Sequence, residues 1–258
     1  MADVRLEVEG AVATITIDRP QRRNALNEAV LGELLAAFEV AKRDPAVRAV
    51  VLTGAGDKAF CAGGDLAPGG GGGGPLGMHW SRGAFADLLL AMRKVGKPIV
   101  GRVAGDALGG GFGLLLACDL VVVREDARLG CPEIDVGLFP MMIMALITRH
   151  VPRKMAVEMM LTGRKITGRE AEALYLVNRC VPSSEVDGAV AELVSSLTSK
   201  SPAVLRLGLE AFHAMGDMGF EEALRFLHQS LTINTMAEDA AEGIMAFIQK
   251  RPAEWKGR

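Results

Sequence analysis

The sequence predicts an α/β protein with an all-helical C-terminal extension. Three observations carry that prediction. β-branched apolar stretches alternate with helix-periodic segments through the first two thirds of the chain. From residue 185 onward the pattern is helical only. Glycine-bearing loops follow two of the strand stretches directly, and ligands in α/β sheets bind outside the carboxyl ends of strands.

Taken in order, Val12–Ile17 alternates β-branched residues and reads as a strand, broken by Asp18, Arg19 and Pro20. Asn27 is placed to cap a helix running to about Lys42, with Val30, Leu31, Leu34, Leu35 and Phe38 on one face. Residues 47–53 return as a strand. Residues 69–74 are six consecutive glycines between Pro68 and Pro75. Such a run has no side chain to bury, and it reads either as a passive linker or as a mobile lid over the preceding Gly63-Gly64-Asp65 loop. A helix is expected over 85–95 and a strand over Ile99–Val103. The strand leads into the triplet Gly109-Gly110-Gly111, an apolar run ending at Asp119, and a further strand over 120–123. Helices are expected over 140–150 and Arg153–Thr162. Thr167 and Glu170 have capping-box spacing for a helix to about Leu176. Residues 177–182 read as a short strand or extended link. Helices over 185–199, 202–215, 219–236 and 238–250 complete the chain.

Half of the 258 residues are hydrophobic and the net charge is −2, which argues against a nucleic-acid partner. Cys61, Cys118, Cys131 and Cys180 have no CxxC spacing and no clustered histidines, so they read as thiols in a reducing compartment. His79, His150, His213 and His228 are scattered, and no metal or redox cofactor is expected. The first residues are charged and carry no apolar leader. Asp119 and Pro140 break the longest apolar runs, so no membrane span is expected. A cytoplasmic protein follows from these readings. Nucleophile-elbow, zincin and Walker A motifs are absent from the sequence.

Two features could carry chemistry. Glycines at a strand-to-helix junction let the backbone approach a ligand, and the first helical turn leaves amides free to bind an oxyanion. The same glycines also suit a close-packed turn with no ligand. Glu133 sits amid Pro132, Ile134, Val136 and Leu138. Partial desolvation there would favour its neutral form and suit it to proton transfer. Asp135 would share its side if the stretch were extended.

Arg23-Asn24-Ala25-Leu26-Asn27, Cys61-Ala62-Gly63-Gly64-Asp65, the triplet, Gly130-Cys131-Pro132-Glu133 and Phe247 with Lys250 occur in this order over nearly the whole chain. In that order and spacing the sequence resembles the crotonase superfamily, the enoyl-CoA hydratases and isomerases. The resemblance implies a spiral of ββα repeats. It implies a core over 1–200 and a C-terminal helical region over 201–258 that packs on neighbours in a homotrimer or dimer of trimers. It also implies an acyl-CoA thioester substrate, with no cofactor beyond the CoA it carries. The amides of Gly64 and Gly110 would hold the thioester oxyanion, and Glu133 would exchange the proton. Arg23, Ala25, Ala62, Asp65 and Leu66 would contact CoA, with Phe247 and Lys250 reaching it from an adjacent subunit. Arg22 and Lys58 flank the same loops.

The chain departs from the family at two positions. Gly113 stands where the hydratases carry a second, water-activating glutamate, and Met141 where the dienoyl isomerases carry an aspartate. One acid remains of each usual pair. Single-acid double-bond isomerisation between 3-enoyl and 2-enoyl thioesters therefore fits best. Hydration as in fatty-acid β-oxidation follows, then thioester hydrolysis or decarboxylation on the same scaffold. The alternative from another class is an acyl-CoA-binding protein with little catalysis.

Overall fold

The computed structural model describes residues 2–65 and 74–258. The chain opens with an antiparallel pair, β1 (Val4–Glu9) and β2 (Val12–Ile17), followed by helix α1 (Glu28–Arg43). Asn27 caps α1 by accepting from the Val30 amide, as its position in the sequence predicts. Three ββα units follow. The first is β3 (Ala49–Gly54), β4 (Ala59–Cys61) and α2 (Gly74–Arg93). The second is β5 (Ile99–Val103), β6 (Asp106–Leu108) and α3 (Gly110–Ala117). The third is β7 (Leu120–Arg124), β8 (Arg128–Gly130) and α4 (Met141–His150). Then come α5 (Arg153–Thr162), β9 (Lys165–Thr167), α6 (Gly168–Ala173), β10 (Arg179–Val181) and α7 (Val186–Thr198). Helices α8 (Pro202–Met215), α9 (Phe220–Thr235) and α10 (Glu238–Gln249) close the chain.

In each unit the first strand joins one sheet and the second strand joins another. The larger sheet has the order β1-β2-β3-β5-β7-β10, parallel from β2 onward. The smaller has the order β4-β6-β8-β9, parallel through its first three strands. This is the spiral of ββα repeats that the resemblance implies. Both faces of the larger sheet are covered, so β3 is buried along its whole length. Val50 and Leu52 enter the main core beside Phe38, Leu34 and Phe60. Ala49 and Val51 alternate to the other face, under Val186, Val190 and Val194 of α7. A strand buried on both faces reads as a continuous apolar run, which is why 47–53 was legible.

Helix α3 is the centre of the molecule. Residues 111–116 are all buried, and a helix apolar all round belongs inside a core. Gly111 allows it to sit there: a Cβ at this position would lie 2.0 Å from the Cys61 carbonyl oxygen. The Thr167–Glu170 capping box forms at the start of α6 as its spacing predicts. Among the described residues no helix is long and apolar enough to cross a membrane.

Several elements differ from expectation. Strand β1 carries three charged residues, and α2 begins at Gly74 rather than near residue 85. The 132–136 stretch is a 3-10 turn, not extended. Strands β4, β6, β8 and β9 are three residues each, too short to show a period of two.

Candidate active site

The smaller sheet positions the site. Strands β4, β6 and β8 run parallel side by side, and their carboxyl ends release three loops on one edge. Cys61 leads to Gly63 and Gly64, Leu108 to Gly109 and Gly110, and Gly130 to Glu133.

The first two loops touch. A Cβ on Gly63 would stand 2.9 Å from the Leu108 carbonyl oxygen and 3.2 Å from the Gly110 nitrogen, and its φ of 93° lies in the left-handed region. Only glycine fits there without strain. Gly64 forms a parallel bridge with Leu26, built from Leu26 N–H to the Gly63 carbonyl and Asp65 N–H to the Leu26 carbonyl, both 2.8 Å. The bridge uses the groups on either side of Gly64 and leaves the Gly64 N–H outside it. Gly110 is the first residue of α3, where an amide has no intrahelical acceptor. Among the described residues, neither the Gly64 nor the Gly110 N–H donates a hydrogen bond. Space is open around Gly64, with no atom within 4 Å of where a Cβ would be. Two free amides on adjoining loops form an arrangement that can hold an oxyanion.

The third loop brings in the carboxyl. Glu133 lies in the 3-10 turn Pro132–Val136, which the left-handed Gly137 closes. Its Oε1 is 3.1 Å from where a Cβ on Gly109 would be, so the carboxyl lies directly against the triplet. Its Oε2 is buried without a hydrogen-bond partner among the described residues. Burial raises the carboxyl's pKa above the ordinary glutamate value, partly offset by its own backbone N–H. The 3-10 turn also sends Asp135 elsewhere. Its carboxylate lies 3.7 Å from Lys165 and packs against Gly163, so it does not share the side of Glu133. Burial pushes the neighbouring Cys61 and Cys131 thiols up to about 12, which keeps them protonated and out of the acid–base chemistry.

At Gly113 the structure adds what the sequence could not show. A Cβ there would lie 2.4 Å from Ile143 Cγ2 and 3.4 Å from Phe85 Cζ. Ile143, on α4, is 3% exposed. The space a side chain at 113 would need is filled by a β-branched residue. Met141, at the start of α4, is exposed.

The remaining candidates surround these loops unevenly. Ala62 N–H donates to the Arg23 carbonyl at 3.0 Å, and Arg23 is exposed with a left-handed backbone. Ala25 is buried. Asp65 pairs with Arg19 at 3.2 Å. Arg22 and Lys58 are exposed. Leu66 and the glycines 69–73 lie outside the described residues. Phe247 and Lys250 are exposed at the end of α10, which packs on α8 and α9. Among the described residues no hydrogen bond or ion pair links them to the two glycine loops.

Sequence reasoning missed two residues beneath the loops. Asn24 is fully buried in a left-handed conformation, and its side-chain amide donates to the Ala55 and Ala59 carbonyls. Arg19 is nearly buried and reaches three acceptors. Asn24 belongs to the Arg23–Asn27 motif, and asparagine is, after glycine, among the residue types that best tolerate a left-handed turn. Arg19 carries no local signal beyond its place in a strand-breaking tripeptide.

Two sheets that share the strands of successive ββα units, with glycine-bearing loops on the carboxyl ends of the smaller one, define a crotonase-fold protein. The chain belongs to the enoyl-CoA hydratase/isomerase family, whose sequence model matches residues 7–258. It is similar to a probable enoyl-CoA hydratase of Rhizobium meliloti, 35% identical over 257 residues, covering 98% of this chain and 97% of the relative. It is also similar to the carnitinyl-CoA dehydratase of Escherichia coli, 34% identical over 260 residues, covering 99% and 98%. An enoyl-CoA hydratase structure from Mycobacterium smegmatis superposes with a TM-score of 0.93 at 35% identity, covering 98% of each chain.

Proposed function

We propose that this enzyme moves a double bond within an enoyl-CoA thioester, using Glu133 as its single acid–base group. The Gly64 and Gly110 amides hold the thioester oxygen. Glu133 takes a proton from the α-carbon of a 3-enoyl thioester, and negative charge spreads onto the oxygen as a dienolate. The same carboxyl then returns the proton at the γ-carbon. Two backbone donors aimed at the developing oxyanion stabilise the intermediate more than the neutral thioester. Among the described residues Glu133 Oε2 has no hydrogen-bond partner, which supports a carboxyl not committed to a fixed structural contact.

The observation that carries this reading is the filled space at Gly113. Hydration needs a base for the attacking water as well as an acid for the α-carbon. With Ile143 Cγ2 2.4 Å from a Cβ at 113, no second carboxylate enters from that helix turn. Hydration by Glu133 and a backbone-held water is the second reading, favoured by the names of the two relatives. Glu133→Gln tests the assignment. It is expected to lower turnover of enoyl-CoA by ~10²–10⁴ while leaving the affinity for a saturated acyl-CoA unchanged. Turnover near that of the native enzyme would remove Glu133 from the reaction.

We also propose that residues 201–258 form the oligomerisation region of a trimer or dimer of trimers, with Phe247 and Lys250 serving a neighbour's CoA site. Support comes from Phe212, Phe220, Leu231, Ile244, Phe247 and Ile248, all of which are exposed on α8–α10. An apolar surface of this kind marks a protein contact.

A further inference from the structure

The Gly64 loop has no disulfide and no long strand to hold it. Beside the backbone bridge to Leu26 and the Ala62–Arg23 hydrogen bond, a buried guanidinium ties it to the molecule. Arg19 Nη1 donates to the Ala25 carbonyl at 2.7 Å. Its Nη2 donates to Asp65 Oδ2 at 3.2 Å, and its Nε faces Asp3 Oδ2 at 3.2 Å. The Arg19 side chain is 11% exposed and that of Asp65 is 16% exposed. The backbone of Arg19 is fixed in turn by Asn24. Arg19 N–H donates to Asn24 Oδ1, and Asn24 N–H donates to the Arg19 carbonyl. Asn24 also grips the Ala59 carbonyl at the start of β4, the strand that leads to Gly64. Ala25 and Asp65 adjoin the two members of the Leu26–Gly64 bridge. Arg19 therefore clamps that bridge from both of its strands.

We infer that Arg19 is a positioning residue for the Gly64 oxyanion donor. Only a planar fork of donors can reach Ala25, Asp65 and Asp3 at once, because an ammonium is a single point at the end of a flexible stem. An amide must lie close to the oxygen of the transition state rather than of the ground state, and small displacements cost rate more than binding. Loss of the clamp then lowers kcat without a matching rise in KM. This inference rests on the oxyanion role proposed above for Gly64.

The test compares Arg19→Lys, Arg19→Ala, Asp65→Asn and Glu133→Gln with the native enzyme. Turnover of a 3-enoyl-CoA is measured together with the red shift of a bound 4-aminocinnamoyl-CoA. The absorption of this conjugated thioester moves to longer wavelength as its carbonyl oxygen is polarised. Arg19→Lys is expected to lower kcat about tenfold and Arg19→Ala ~10²-fold, within the range for a lost oxyanion donor. Both keep KM within a factor of about three and reduce the red shift, and added guanidinium restores part of the kcat of Arg19→Ala. Asp65→Asn, which keeps the oxygen but loses the charge, shifts kcat and spectrum the same way by less. It carries the test if the Arg19 variants do not fold. Glu133→Gln should lose turnover but keep the full red shift. Native kcat and red shift in the Arg19 and Asp65 variants, with Glu133→Gln inactive, would overturn the role of Arg19 alone. An active Glu133→Gln would overturn the reading on which it rests.

Discussion

In the proposed reaction Glu133 must be ionised to take a proton from carbon, and its surroundings oppose that charge. Burial raises its pKa above the ordinary glutamate value, so the acid limb of kcat/KM should lie above pH 4.5. Below that limb kcat/KM is expected to fall about tenfold per pH unit, as for a single essential base. The effect on folding has the opposite sign. The folded chain binds the Glu133 proton more tightly than the unfolded chain, so this group's contribution to stability is lost as pH rises through the raised pKa. A pH–rate profile with its acid limb at or below the ordinary glutamate range would contradict the assignment. At this scale the sequence was informative about Glu133, because its apolar neighbours are adjacent in the chain. It was silent on Oε2, which has no hydrogen-bond partner among the described residues, and the extended stretch that would put Asp135 on the side of Glu133 is instead a 3-10 turn set by Pro132 and Gly137. Arg19 was equally hidden, since two of its three acceptors, Asp3 and Asp65, come from other segments.

Helices α3 and α4 meet at Gly113 and Ile143, the contact on which the proposed one-acid chemistry rests. Isoleucine branches at Cβ and has one strongly preferred χ1 rotamer in a helix, so its Cγ2 cannot swing aside. Gly113→Ala should destabilise the protein by about 1–3 kcal/mol through overpacking. Ile143→Leu keeps the volume but moves the branch one carbon outward. In that background the cost of Gly113→Ala should shrink, giving a coupling of ~0.5–3 kcal/mol in chemical denaturation. Strictly additive costs would show that the two helices are not locked here. Gly113→Glu alone is expected to lose isomerisation without gaining hydration. The strands and helices with a clear period were legible in the sequence, as Val12–Ile17 and α4 to α10 illustrate. The three-residue strands of the smaller sheet were not, although they aim the loops. Their pairing is long-range and leaves no local pattern. The first half of α2 was obscured in the same way, by Gly77, Gly83 and polar residues inside its span.

For the whole molecule, the order of strands and then helices pointed to a core with an appended helical region. The exposed apolar side chains of α8–α10 support the proposed assembly. Light scattering at micromolar concentration should give a mass of three or six chains, and a monomer would contradict the proposed assembly. The one-acid site makes the central claim measurable in a single comparison, kcat/KM for a 3-enoyl-CoA undergoing isomerisation against that for a 2-enoyl-CoA of equal chain length undergoing hydration. A missing general base is worth ~10²–10⁴ in rate, so isomerisation is expected to exceed hydration by about that factor. Hydration as fast as isomerisation, or faster, would contradict the account.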